Sequence, residues 1–422
     1  MRLINKILTI ALLFVITGIQ AQSTSSPYSR FGYGLLNEPS LGFNQGLSNT
    51  GIALRPSNHL SFLNPASMSA IDSSHFIFEV GLKNQFTTIN DNNTHASTSN
   101  TNMEYLGVGF PITRWWGTGL TMLPFSKLGY AFYQTTTLPD GGTNDYYYNG
   151  SGGSNQVVWS NSFIPMKGLS IGIKTGLVFG QTTLNSIATL SESTAENTSE
   201  VQTIDMKGMY AQLGFQYEYK ITDKKSLILG ATFQPKQKLK SKYAVVVGTD
   251  NGTAIVESIS GSIIKSDLPM KIGSGLGFVL KDELQCGIDY TYQNWTNASI
   301  FGSSSDVYQK MQSLNVGLEY LPNKFAPKGY FKRVRYRFGA RYLQTNLALP
   351  EPGTSTPLYS VNEKAASFGM GFPLKSLASN INISAEYGTR ATKSSILPKE
   401  TFFVINLNFT LNENWFYKHK IK

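Results

Sequence analysis

The chain has almost no sulfur chemistry available to it. Cys286 is the only cysteine among 422 residues, so an intramolecular disulfide is excluded. Its surroundings, ELQCGIDY, predict a packing residue on a strand, buried or facing lipid, rather than a nucleophile. Histidine is nearly as scarce. His59, His75, His95 and His419 are the only four; they form no HExxH and have no cysteine pair beside them, so no metal site is expected. A G-x-S-x-G elbow is missing. His75 lies near Asp72 with Ser73 and Ser74 between them, but neighbours along a strand point to opposite faces, so this trio has no catalytic geometry. The glycines of residues 273–277 precede no helix and make no phosphate loop. No enzyme, catalytic residue or cofactor is therefore expected. Charged residues amount to 15%, and the lysines and arginines are scattered over turns and strand ends. No basic patch carries interleaved aromatics, which excludes a nucleic-acid partner.

Long apolar runs are also missing, with one exception at the start. Arg2 and Lys6 precede a short apolar core over residues 7–16, and Ala21 closes a cleavage site before Gln22. This reads as a secretory leader over residues 1–21. Ile19 is larger than the usual residue at that position, so the cut can shift by one or two. The alternative, a retained anchor, is poorly served by a core shorter than the ~20 apolar residues a spanning helix needs. Beyond it no stretch reaches spanning length, so the mature chain is not a helical membrane protein.

What is abundant is tyrosine, phenylalanine and glycine: 22 Tyr, 25 Phe and 39 Gly. Combined with polar alternation, this is the composition of a transmembrane β-barrel, with an apolar lipid face, aromatic girdles and a polar lumen. Residues 75–88 show the period of two cleanly: Phe76, Phe78, Val80 and Leu82 alternate with Ile77, Glu79, Gly81 and Lys83. Further strands are predicted over 103–112, 117–134, 160–180, 201–221, 226–242, 269–280, 284–295, 312–321, 334–346, 360–373, 381–390 and 401–411. A hairpin is predicted from 243–248 and 254–259 over Thr249-Asp250-Asn251-Gly252. Short turns (223–225, 281–283) alternate with long polar segments read as loops (90–102, 138–155, 186–199, 298–307, 347–358). That asymmetry gives a closed antiparallel barrel of about 14 strands, with short periplasmic turns and long extracellular loops. Trp115 and Trp116 fall where an aromatic belt is expected. Lys236, Lys238, Lys240 and Lys242 share one parity; the lumen or an extracellular rim beyond the lipid is their predicted home, because a lipid-facing lysine at mid-membrane costs ~2–4 kcal/mol.

Residues 46–72 break the rhythm. They are rich in Ser, Asn and Pro, and their hydrophobics do not alternate. In Leu63-Asn64-Pro65-Ala66, Pro65 fixes its own φ and biases Asn64 to extended backbone, while an Asn side chain readily bonds nearby backbone. A kinked, compact turn results. A second break is Leu123-Pro124-Phe125-Ser126, where the proline cannot donate to a ladder and marks a bulge or an edge.

Asn64-Pro65-Ala66, set before the first strong strand, resembles the hatch motif of the FadL family of outer-membrane barrels. Pro124-Phe125-Ser126 is similar to the kinked strand that opens a side passage in that family. Residues 26–35 are similar to the mature N-terminus of many Bacteroidetes members, predicted to pack with the hatch or to pair at the periplasmic rim. Residues 401–411 resemble the family's C-terminal targeting strand. The resemblance implies a leader (1–21), an N-terminal hatch (22–74), a 14-strand barrel (75–411) and a basic periplasmic tail (412–422) in a Gram-negative outer membrane. It implies passive uptake of hydrophobic small molecules, long-chain fatty acids or similar. Asn64, Pro65 and Ala66 would form the gate, with Phe62, Leu63, Pro124 and Phe125 beside the passage. The alternative is a non-transporting barrel subunit of a secretion or protein-assembly complex. The expected partners are outer-membrane lipid and lipopolysaccharide phosphates, a hydrophobic ligand, and other outer-membrane proteins if the second reading holds.

Overall fold

A computed structural model describes residues 25–38, 40–91, 95–137, 142–190, 197–249, 255–281, 283–302, 305–374 and 379–414. The leader, the last eight residues of the tail and several loop tips lie outside that set. The strands are β1 (Leu35–Leu36), β2 (His75–Asn90), β3 (His95–Thr113), β4 (Trp116–Thr137), β5 (Thr143–Met166), β6 (Leu169–Leu190), β7 (Thr198–Thr222), β8 (Lys225–Gln234) and β9 (Gln237–Thr249). They continue with β10 (Ile255–Leu268), β11 (Lys271–Leu280), β12 (Leu284–Asn294), β13 (Lys310–Tyr320), β14 (Arg335–Leu349), β15 (Tyr359–Pro373), β16 (Asn380–Ala391) and β17 (Lys399–Asn414).

All pair antiparallel with their neighbours, and β17 pairs with β2 from Lys399↔Asn90 to Asn414↔His75, which closes the sheet. β8 and β9 are two halves of one spanning strand, as are β10 and β11, so the wall has fourteen spans. The halves meet at Pro235-Lys236 and Pro269-Met270, which lie opposite each other: Gln234 is in register with Lys271, and Leu268 with Gln237. Proline has no N–H for the ladder. The backbone of β7 beside this break is met instead by the Gln237 amide, which donates to the Ala211 carbonyl (2.7 Å) and accepts from the Ala211 N–H (3.2 Å).

The outer face follows the alternation. Leu213, Phe215, Tyr217, Tyr219 and Ile221 on β7 are exposed, and their intervening neighbours Gln212 and Gln216 are buried. Cys286 stands in register with Phe278 and Leu318, half-buried on the outer side. Pairing of backbone polar groups between neighbouring strands is what permits such an apolar exterior.

The strands are longer than their apolar portions. The segment expected as a loop at 90–102 is ladder from His95 onward, Asn90 pairing with His95 and Thr88 with Ser97. Most of 138–155 is the start of β5, with Tyr146, Tyr147 and Tyr148 opposite Gln134, Tyr133 and Phe132. The 186–199 loop shrinks likewise, because β6 runs to Leu190 and β7 begins at Thr198. These are polar extensions above the apolar belt, where no lipid selects for hydrophobic alternation. The last strand extends past Leu411 to Asn414.

One seam is incomplete. β3 and β4 pair only from Leu106↔Met122 to Thr113↔Trp116. Beyond Met122, β3 continues on β2 and β4 on β5, with no β3–β4 pairing among the described residues. Pro124 and Phe125 sit where the strands part: the register shifts between Pro124 and Ser126, a bulge inside one continuous strand. The free edge of β4 is taken by the N-terminal segment. Leu35 pairs with Lys127 and Leu36 with Ser126, the Ser26 N–H donates to the Gly129 carbonyl (2.8 Å), and the Asn37 N–H to that of Phe125 (2.9 Å). Residues 26–35 therefore pair high on β4, away from the short-turn rim where one expectation had placed them, because that edge is the one left open.

Candidate functional site

The lumen is the candidate site, and the N-terminal segment occupies it. From Leu41 to Met68 nearly every residue is buried, held by side chains that reach in from many strands. Asp289 of β12 accepts from the N–H groups of Gly51 (2.6 Å) and Ile52 (2.8 Å). Gln216 of β7 donates to the Ile52 carbonyl (2.8 Å), Asn315 of β13 to that of Asn49 (3.3 Å), and Ser162 of β5 to that of Ala66 (2.7 Å). Ser367 of β15 bonds both the Ser48 N–H (2.9 Å) and its hydroxyl (2.8 Å). Non-alternating Ser/Asn/Pro sequence thus satisfies its backbone through the wall, as a buried irregular segment must.

Asn64, Pro65 and Ala66 sit at one turn of this segment. Asn64 is extended (φ −128°, ψ 115°) and caps the 3-10 helix Pro65–Ala70, its Oδ1 accepting from the Ala66 N–H at 3.0 Å. Its Nδ2 donates to the carbonyls of Ile52 (2.9 Å) and of Phe215 in the wall (3.0 Å). The turn lies directly on the barrel backbone: a Cβ at Gly172 would strike Pro65 and Ala66, and one at Gly214 would strike Asn64 and Pro65. Glycine is needed at both for this close approach. Replacing Asn64 with alanine removes the hydrogen bonds of its side chain around a fully buried turn; a loss of about 1–3 kcal/mol is expected, read as a lower denaturant midpoint of the folded barrel.

Phe62 is buried with the ammonium of Lys174 over its ring (3.4 Å) and the same ammonium donating to its carbonyl (2.7 Å). Leu63 and Phe125 line one small cavity of about 70 Å³, together with Leu36, Ile52 and Trp295. Phe125 packs edge-on against Tyr33 (6.3 Å), and the Pro124 carbonyl accepts from Asn37 (3.2 Å). The fold therefore brings Leu63 to Phe125. Asn64, Pro65 and Ala66 face β5, β6 and β7 instead.

The dominant chemistry of the lumen is ionic, and it was not singled out from the sequence. Arg337, 1% exposed, pairs through Nε with Glu319 (2.6 Å) and through Nη1 with Asn382 (2.7 Å), while Arg335 holds the other oxygen of Glu319 (2.6 Å). Arg341 pairs with Glu363 and with Glu386 (2.9 Å), and Arg390 joins Glu363 (2.6 Å) to Glu400 (2.6 Å). Lys127 pairs with Glu104 (2.8 Å). A cavity of about 120 Å³ lies among Lys83, Glu104, Arg341, Glu363 and Glu386. Another of about 280 Å³ opens near the short-turn end beside Arg55, His59, Glu319 and Arg335. His59 is stacked on Phe43 (5.3 Å) and bonded to Glu79 (3.1 Å). Burial holds it below its ordinary value of 6.5, against the opposite pull of Glu79. The sequence signal was one-sided charge: Arg335, Arg337 and Arg341 share a parity. Among the described residues no cluster of metal-ligating side chains occurs.

Several solved structures share this fold, among them a monoaromatic hydrocarbon channel and two toluene transporters. The chain is similar to a Pseudomonas aeruginosa FadL homologue (15% identity, TM-score 0.56, covering 91% of this chain and 100% of that one). It is similar to the toluene transporter TodX of P. putida (15%, 0.58, 92% and 99%) and to the Ralstonia pickettii toluene transporter TbuX (14%, 0.55, 91% and 98%). At such identities the likeness is one of fold. No curated protein sequence matches. A model of one family, BamG, matches residues 3–422. With nearly the whole length matched, the chain belongs to the BamG family.

Proposed function

We propose that this protein is a plugged barrel of the Gram-negative outer membrane that serves as a structural subunit of a protein-assembly or secretion complex. The observation that carries the reading is the filled lumen. Among the described residues, three cavities inside the wall measure about 70, 120 and 280 Å³, whereas ligand pockets are typically ~300–1,000 Å³ and mostly apolar. The 120 Å³ space is lined by Lys83, Glu104, Arg341, Glu363 and Glu386, groups whose desolvation opposes entry of an apolar molecule. Residues 25–72 act here as a fixed plug, and Asn64, Pro65 and Ala66 pin it. The short-turn end faces the periplasm, as in other barrels of this kind. The test is purification of the tagged protein from membranes in mild detergent. Other outer-membrane proteins at about 1:1 stoichiometry are the expected result. A monodisperse barrel carrying lipid-like molecules would overturn the proposal.

A second reading is passive uptake of hydrophobic compounds. The observation that favours it is the β3–β4 seam beside Pro124 and Phe125, a place where the wall could part if β1 left the edge of β4. Under that reading Asn64, Pro65, Ala66, Phe62 and Leu63 form the gate and its surroundings. Uptake of a labelled long-chain fatty acid by liposomes containing the protein, lost in the Asn64→Ala variant, would favour it over the first.

A further inference from the structure

Lys236, just before β9, and the three lysines that follow it on β9 point outward. Lys236, Lys238, Lys240 and Lys242 are exposed, while Leu239 and Ser241 between them are fully buried on the lumenal side. Of the two predicted homes this is the rim, and the rim holds more charge than β9 supplies. Lys240 is in direct register with Lys207 of β7 on one side and with Lys265 of β10 on the other. Both of these are also exposed. Six lysines thus share one outward patch across three adjacent strands. Two aspartates accompany them: Asp205 opposite Lys242, and Asp267, which pairs with Lys236 at 3.1 Å. Like charges directly opposite in a ladder destabilise it, and with six lysines against two aspartates the patch keeps a surplus of positive charge that a counter-charge from outside the chain would relieve.

The height of the patch says what that counter-charge belongs to. Directly below it the same face carries Phe233 and Met270, the last apolar residues before the two prolines, and Met209 lies two residues below Lys207. Ile263, 72% exposed, stands in register with Lys242 inside the patch. The lysines therefore begin where the apolar belt ends, with apolar side chains among them, as at a boundary between acyl chains and headgroups. The row of three spans about 10 Å across the strands and the Lys236–Lys242 series about 20 Å along them, dimensions that suit several phosphates on one headgroup.

The geometry points to a binding site for a multiply phosphorylated glycolipid of the outer leaflet, its phosphates on Lys207, Lys240, Lys242 and Lys265 and its acyl chains on Phe233 and Met270. The site lies outside the lumen and is independent of whether the barrel transports. A free polyanion would have no use for the adjoining apolar surface.

The experiment uses the full chain purified in detergent. Its binding to a glucosamine-disaccharide lipid bearing two phosphates is compared with binding to the same lipid with one or none. Affinity is expected to fall at least about 10-fold from two phosphates to none and to weaken with salt. The Lys207→Gln/Lys240→Gln/Lys265→Gln triple variant is expected to lose that preference, and a Lys220→Gln/Lys225→Gln control at the short-turn end to keep it. Heat-shifted gel mobility checks that each barrel is folded. The triple variant is also expected to melt higher than the parent without lipid, since the registered repulsion is gone. Phosphate-independent binding, an unaffected triple variant, or full competition by inorganic pyrophosphate would each overturn the proposal. So would lysine-dependent binding of polyglutamate without lipid binding, which would indicate an acidic protein instead.

Discussion

Replacing Arg337 with methionine is expected to destabilise the barrel by about 3–5 kcal/mol, the cost of leaving one member of a buried ion pair without its partner. Arg337 is 1% exposed and holds Glu319, itself 3% exposed, and Asn382 at once. Methionine fills the aliphatic space but returns none of those bonds. Arg335 still touches Glu319, which keeps the loss toward the lower figure. The check is denaturant unfolding of the refolded protein, followed by gel mobility and tryptophan fluorescence. The double variant Arg337→Met/Glu319→Gln should recover part of the loss, because the buried carboxylate is neutralised while Arg335, 17% exposed, loses its partner at a site nearer water. A loss under about 0.5 kcal/mol for the single change, the range of ordinary surface substitutions, would show that water reaches the pair.

The second large effect concerns conduction. A chain beginning at Asp72, refolded into a planar bilayer, is expected to pass ions in steps at least about ten times larger than any the full chain shows. Barrels of eight strands are filled by their own side chains and those of 16–18 leave aqueous channels; fourteen spans around a polar lumen stand nearer the second case. In the full chain that space is taken by the segment fixed through Asp289, Gln216, Ser162 and Ser367. Gly172→Leu tests the same point without truncation, since its side chain must occupy the position of Pro65 and Ala66. It should loosen the turn and give intermediate conductance. Equal, near-zero conductance from all three proteins would mean that the wall side chains close the lumen by themselves.

The spans themselves were legible because lipid imposes one rule on every strand that crosses it. Leu213, Phe215, Tyr217 and Tyr219 announce a strand whatever its neighbours are. The rule stops at the edge of the belt, so Asn90 and Ser97, paired in the structure like any ladder residues, read as loop. The Asn64 cap was legible as a local turn, because an Asn before a Pro needs nothing distant to explain it. What it packs against was not, since the glycines beneath it come from strands more than a hundred residues away. The same holds for charge. The parity of Lys236–Lys242 is visible in the sequence, but which face it marks depends on register, and so does the meeting of Lys207, Lys240 and Lys265. The ion pairs of Arg337, Arg341 and Arg390 join different strands, and no local pattern names their partners.

The way the N-terminal segment is embedded also favours an order of events. It precedes β2 in the chain, touches strands from β2 to β17, and is enclosed by a sheet whose closing seam joins Asn90 to Lys399. That seam is the pairing of greatest sequence separation and so costs the most loop entropy to form. A barrel that closed first would leave only its two mouths for the segment to enter by, before it could bond to Asp289, Gln216, Ser162 and Ser367. We expect the segment to lie against the unfinished inner surface while the sheet is still open, serving during biogenesis as a mould around which the curved wall is completed.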